Sequence, residues 1–317
     1  MTTPAAGDRG RRRLRGGPGS VVPSAQIRTY YDRPVLKQPV WTWEIPAYFF
    51  TGGLAGASAS LGSMARRGGH PLLARAARRI ALGGVVVSPA LLISDLGRPE
   101  RFHHMLRVFR PTSPMSVGTW VLTVFGPAAG ASAVLAELGW WPRLQRLAET
   151  VAGGLGPVMA TYTAVLVADT AVPVWHEARH ELPFVFAGSA AASAGAAATL
   201  FAPAAESGPA RRFAVTGGLL ELGAAEVMRA RLGELGEPYR LADARRWSCA
   251  ATACTAAGTA LLGLGGRRRR VAAVAGSALL LAGSVCQRWA VYRAGFISAA
   301  DPKYVVGPQR RRIDERR

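Results

Sequence analysis

The chain has 317 residues, half of them apolar and only 18% charged, with 39 Lys plus Arg against 19 Asp plus Glu. That apolar content excludes a largely disordered chain. The net charge of +20 would suit nucleic acid if it were evenly spread. Instead the charges sit in short blocks between long segments of Ala, Gly, Val and Leu, a pattern that belongs to a multi-spanning membrane protein and not to a nucleic-acid partner. The three cysteines, Cys249, Cys254 and Cys286, fall in apolar segments with no CxxC pair, so neither a structural disulfide nor an iron–sulfur cluster is expected.

Residues 1–40 read as a disordered basic tail rich in Gly, Pro and Arg. Its Arg11-Arg12-Arg13 run resembles a twin-arginine export signal, but no apolar stretch follows over residues 16–40, so cleavage is not expected. Eight stretches then approach the roughly 20 apolar residues that a spanning helix needs. They lie near 45–65, 77–95, 116–138, 151–174, 182–204, 211–230, 245–266 and 271–294. None alternates polar with apolar as barrel strands do, so the predicted fold is an all-α integral membrane protein of eight transmembrane helices. The sixth carries Glu221 and Glu226 and has two readings: a span with acids facing the protein interior, or an amphipathic helix in the interface.

Span one opens Glu44-Ile45-Pro46-Ala47-Tyr48-Phe49 and span five opens Glu181-Leu182-Pro183-Phe184-Val185-Phe186. This echo predicts two four-helix bundles, about 41–175 and 181–298, within a membrane domain of 41–298, followed by a basic C-terminal tail at 299–317. Eight spans put both termini on one side. That side holds 26 Lys plus Arg, 8 of them in the N-terminal tail and 8 from Arg288 onward, against 13 on the other, which favours cytoplasmic termini.

The two sides differ in chemistry. The far-side connections are basic and turn-rich, whereas the terminal side gathers Trp41, Trp43, Glu44, Asp95, Asp169, Trp175 and His176, so a ligand pocket or a partner is expected there. Three of its segments, WEIPAYFF (Trp43 to Phe50), DLGRPERF (Asp95 to Phe102) and SPMSVGTW (Ser113 to Trp120), resemble the NrfD/PsrC family, the polysulfide-reductase-type membrane subunit. The resemblance implies a quinone-interacting anchor in the plasma membrane of a prokaryote. Menaquinone or ubiquinone would be its exchangeable substrate, an iron–sulfur electron-transfer subunit and a molybdopterin catalytic subunit its partners. Formate dehydrogenase and polysulfide reductase systems both agree with it.

Quinone chemistry without haem needs protonatable groups beside a pocket that opens to lipid. Tyr162, Asp169 and His176 are seven apart and predict one stripe on span four. Each also has a plainer reading: a packed tyrosine, a helix-end charge and a loop histidine. With Glu44 and Tyr48 of span one they form the candidate quinone site, although Glu44 equally complements the helix dipole. Asp95 caps the Gly97-Arg98-Pro99 turn, pairs with Arg98 or transfers protons, and Glu221 is the candidate inner acid of a proton path. Arg98, Arg101, His103, His104 and Arg107 form the candidate docking patch, or else a simple basic loop. All five histidines fall in loops or at span ends, which argues against haem ligation in the chain itself. Gly52, Gly56 and Ser60 read as a helix-packing stripe. A proton-coupled secondary transporter and a pure assembly anchor are the competing functions.

Overall fold

The computed structural model describes residues 35–96, 98–266 and 269–314. Most of the N-terminal tail, residues 1–34, lies outside that range, as do Gly97 of the predicted turn, Arg267 and Arg268 of one far-side link, and residues 315–317. The described residues are all-α: α1 Glu44–Arg67, α2 Pro71–Ser94, α3 Pro114–Leu138, α4 Pro142–Ala168, the short α5 Pro173–Glu177, α6 Leu182–Phe201, α7 Gly208–Leu232, α8 Ala242–Ala260, α9 Arg270–Ala300 and α10 Lys303–Asp314. Prolines open α2, α3, α4 and α5 at their first residue, where the missing N–H has no helical partner to lose. Gly139, with φ of 68°, ends α3 in the left-handed conformation.

Among the described residues, six helices are long and apolar enough to cross a membrane: α2, α3, α4, α6, α8 with its terminal π-turn, and α9. The other two long helices, α1 and α7, fall short. α1 is built largely of Gly, Ala and Ser, while α7 carries Glu221, Glu226 and four arginines. The largest boundary difference is span four, expected at 151–174 and observed from Pro142 to Ala168. Asp169 caps the helix and Pro173 begins a new short one, because proline cannot supply the N–H that would continue α4.

Helices α1 to α4 pack in a ring, each on its neighbours, and α6 to α9 do the same; α1 also touches α6 and α9 across the boundary. The two similar openings also touch each other. Phe49 and Phe186, at the same place in the repeated segment, meet with ring centroids 5.9 Å apart. Tyr48, however, is matched by Val185, so the tyrosine belongs to the first bundle alone. Three-ten turns at Pro99–Leu106, Ala178–His180 and Gly233–Arg240 elaborate the end where α1 begins.

The opposite end is less plain than its turn-rich composition suggested. Glu149 is buried there, paired with Arg66 and with Arg78 at 3.0 Å, and accepts a hydrogen bond from Gln145 at 3.1 Å. Arg78 was expected at the very start of the second span; α2 starts six residues earlier, at Pro71, and places it about two turns inside the helix.

The Gly52, Gly56 and Ser60 stripe packs α1 against α4. A Cβ on Gly56 would lie 2.5 Å from the Gly156 carbonyl oxygen, one on Gly156 would lie 2.3 Å from the Gly56 oxygen, and the Ser60 hydroxyl donates to the Gly153 carbonyl at 2.9 Å. Gly156→Ala is expected to destabilise the protein by about 1–3 kcal/mol, since backbone leaves no flexible neighbour to yield. Gly154→Ala, with nothing near its Cβ, should leave stability unchanged or slightly raised. Thermal unfolding of the two purified variants in detergent checks the contrast, and equal melting points would refute it.

Candidate functional site

Helices α1 to α4 enclose a cavity of about 550 Å³ at the end where α1 begins. Apolar side chains make most of its wall. Pro89 of α2 and Pro127 of α3 both lie on it, and each removes one N–H from the helical hydrogen-bond ladder. Ile45, Tyr48 and Phe49 form the α1 side, Tyr162 and Leu166 the α4 side, and Asp95 stands at the mouth.

Tyr48 is 1% exposed, and its buried hydroxyl has no hydrogen-bond partner. A buried hydroxyl left without an acceptor costs about 1–3 kcal/mol, so its place on a cavity wall marks it as a donor for a ligand. The Tyr162 ring packs edge-on to Tyr48, centroids 6.5 Å apart. It rests on Gly118 of α3, where a Cβ would come within 2.2 Å of the ring. The SPMSVGTW segment therefore contributes a floor for Tyr162 as well as the start of α3.

At the mouth, the Asp95 carboxylate accepts from the Thr42 backbone N–H at 3.3 Å and from the Thr42 hydroxyl at 2.7 Å; that hydroxyl also contacts the Glu44 carboxylate. With one hydrogen to give, the threonine donates to one carboxylate at a time. Thr42 was not singled out in the sequence, although the signal was there: a hydroxyl two residues before an acid that starts a helix. Trp41, beside it, stacks on Trp175 at 5.5 Å, and its carbonyl accepts from the Tyr292 hydroxyl at 2.6 Å. Trp175 in turn donates to the Val291 carbonyl at 2.7 Å. The entry segment of the first bundle is thus clamped to α9 of the second.

The structure brings Tyr48, Asp95 and Tyr162 to one cavity, with Glu44 joined through Thr42. It does not bring Asp169 and His176 there. The predicted stripe breaks where α4 stops at Ala168: Asp169 is exposed at the helix end, and His176, beyond Pro173, turns back so that its Nδ1 lies 3.3 Å from the Ala168 carbonyl.

Glu221 is 2% exposed in the second bundle and accepts from the Thr255 hydroxyl at 3.4 Å; its other oxygen has no hydrogen-bond partner. Its electrostatic partner is Arg288, a residue counted in the sequence among the cations of the C-terminal side and found instead fully buried in α9. Arg288 donates to the Phe186 carbonyl at 3.0 Å and lies 3.7 Å over the Phe186 ring, while its Nε and Nη1 have no hydrogen-bond partner. Because α9 runs on to Ala300, the predicted end near 294 placed this arginine too close to water. Phe49 and Phe186 bridge the cavity to this pair.

Arg98, Arg101, His103, His104 and Arg107 are exposed on and beside the Pro99–Leu106 turn, next to exposed Phe102, Met105, Val108 and Phe109. Phe102, Met105 and Leu106 of the same segment line the cavity mouth. Desolvation, and then the neighbouring charges of Arg107 and His103, hold the His104 pKa below the usual histidine value. Among the described residues, no group of three or more His, Cys, Asp or Glu could hold a metal ion.

Residues 34–231, from before α1 to near the end of α7, match the family model described as polysulphide reductase, NrfD. No curated protein matches the chain. The matched stretch contains every wall of the tyrosine cavity and the whole basic turn, and it covers more than half of the 317 residues. With its apolar helices, the chain is a multi-pass membrane protein that belongs to the NrfD family.

Proposed function

We propose that the chain is a haem-free, quinone-interacting membrane anchor of a molybdopterin iron–sulfur oxidoreductase complex, of the formate dehydrogenase or polysulfide reductase type. All eight long helices cross the prokaryotic plasma membrane in this reading, with the cavity end on the cytoplasmic side. The observation that carries it is the apolar cavity with an unpartnered tyrosine hydroxyl buried in its wall and a carboxylate at its mouth. A menaquinone or ubiquinone headgroup has the matching chemistry: a flat apolar ring with carbonyl oxygens at opposite edges.

Reducing a quinone to a quinol takes two electrons and two protons. The electrons come from a cluster in the partner subunit, and the protons must come through groups of this chain. Tyr48 donates a hydrogen bond to one carbonyl oxygen and favours charge developing there. Asp95 exchanges protons with water at the mouth, held in place by Thr42 and coupled through it to Glu44. Tyr162 closes the α4 side of the pocket. Glu221 with Arg288 forms a buried polar step in the second bundle, the place for an inner proton acid. Asp169 and His176 stand away from the cavity and make no contact with quinone in this reading.

Tyr48→Phe is expected to lower quinone turnover about tenfold, the weight of one lost hydrogen bond, with little change in folding because no protein group loses a partner. Asp95→Asn and Tyr162→Phe should also lower turnover, whereas Asp169→Asn should leave it unchanged. Assays of the four variants in native membranes decide this, and full activity in both Tyr48→Phe and Asp95→Asn would reject the site.

Purification of the chain from its membrane is expected to bring an iron–sulfur protein with it, and the compartment of that protein decides the orientation. Arg101→Glu with Arg107→Glu should weaken the association, and the wild-type association should loosen as salt rises. Recovery of the chain alone, with proton-coupled solute flux in proteoliposomes, would identify the secondary transporter instead. Glu221→Gln should abolish any proton movement across the membrane that accompanies turnover, read with a pH-sensitive dye in proteoliposomes. Unaltered movement would remove Glu221 from the path.

A further inference from the structure

We propose that a second hollow, the groove between the two bundles, is a binding site for one anionic diacyl phospholipid. The groove measures about 960 Å³ and is walled by α1, α2, α6 and α9. Phe50, Leu54, Val87, Ala197 and Phe201 give it an apolar surface. Its polar lining is Thr51, Arg75 and Arg79. The Thr51 hydroxyl is already satisfied by Ser88 at 2.9 Å, which leaves the two guanidiniums as the groups able to meet a ligand.

Both arginines stand at the Pro71 end of α2, with side chains 53% and 60% exposed. They share one carboxylate: Glu137 lies 2.8 Å from Arg79 and 4.0 Å from Arg75. Glu206 adds a second carboxylate at this end, accepting from the Leu72 and Leu73 backbone N–H groups at 2.8 and 3.0 Å. Arg270, which donates to the Thr199 and Leu200 carbonyls next to Phe201, is a third guanidinium, so three cations meet two anions and leave a surplus positive charge.

From Leu72 to Val87 the lining follows α2 for sixteen residues, about 22 Å at helical rise. That length exceeds half of the roughly 30 Å hydrocarbon core, so it accommodates an acyl chain of one leaflet. The cationic end with an apolar remainder matches a phosphate headgroup with its tails. A spanning helix of another subunit would leave the cationic surplus unmatched, and a quinone brings no negative charge to meet it. Gly83 lines the groove with nothing within 4 Å of its Cβ position, so a larger side chain there would project into the lipid space without striking the protein.

The test uses the purified complex in detergent with equal amounts of phosphatidylglycerol and phosphatidylcholine of identical chains, and native mass spectrometry counts the lipid retained. Phosphatidylglycerol should be favoured about fivefold, the weight of one interfacial cation. Arg75→Gln with Arg79→Gln should bring the two lipids to parity. Glu137→Gln, which frees Arg79, should raise the preference, so the proposal stays open to refutation even if the double variant fails to fold. Gly83→Leu should reduce retention of both lipids and leave quinone turnover unchanged. Equal retention by the wild-type protein, a preference that survives loss of both arginines, displacement of phosphatidylglycerol by inorganic phosphate, or loss of bound quinone or of a subunit in Gly83→Leu would each overturn it.

Discussion

The contact on which the site depends is the backbone approach of α1 to α4. Gly56 and Gly156 let the two helices close to a distance at which neither position admits a Cβ. In lipid, where no hydrophobic force drives helices together, such close packing supplies much of the association energy. It also sets the register of everything one or two turns away. Tyr48 projects from α1 two turns toward the cavity end from Gly56, and Tyr162 projects from α4 at the matching depth beyond Gly156, so their rings meet on a common wall. A looser helix pair would have to fill the gap with side chains, and the two phenols would lose their fixed relation.

Polar groups are distributed according to what each can find as a partner. At the cavity end, Asp95 and Glu44 are held by a threonine and remain in reach of water. At the opposite end, Glu149 is buried but met by two arginines. In the second bundle, Glu221 and Arg288 lie buried with hydrogen-bonding atoms that no protein group satisfies. Burying ionisable groups in a membrane interior is costly, and such positions are usually functional. The pair with unsatisfied atoms is therefore the one that stability alone does not explain.

Much of this was legible in the sequence because lipid restricts the choices. Long apolar runs without alternation leave helices as the solution, and eight long helices appear where eight runs were read. Six of them are apolar enough to cross a membrane on that criterion. WEIPAYFF located Glu44 and Tyr48, and DLGRPERF located Asp95, since local turn chemistry and helix starts are written in short segments. What failed was reasoning that carried one periodicity past a break. The seven-residue spacing of Tyr162, Asp169 and His176 holds only on a continuous helix, and Pro173 ends that continuity. Arg288 was misjudged for another reason: it was counted with the terminal-side cations, whereas α9 continues to Ala300 and keeps it buried inside the bundle. Thr42 and Gly118 act through partners 53 and 44 residues away in the chain, Asp95 and Tyr162, and pattern reading along one segment does not pair such residues.

The clamp on Trp41 bears on how the protein is made. Tyr292 and the carbonyl of Val291, which hold Trp41 and its stacked neighbour Trp175, belong to α9, which leaves the ribosome after the other long helices described. The four helices around the cavity are synthesised well before it and have no such latch while they wait. Assembly of the pocket is thus coupled to synthesis of α9: a chain arrested after α7 would contain every cavity wall, yet it would lack the part that holds the entrance in place. Quality control that senses a loose entrance would remove partial products before an electron-transfer partner could engage them.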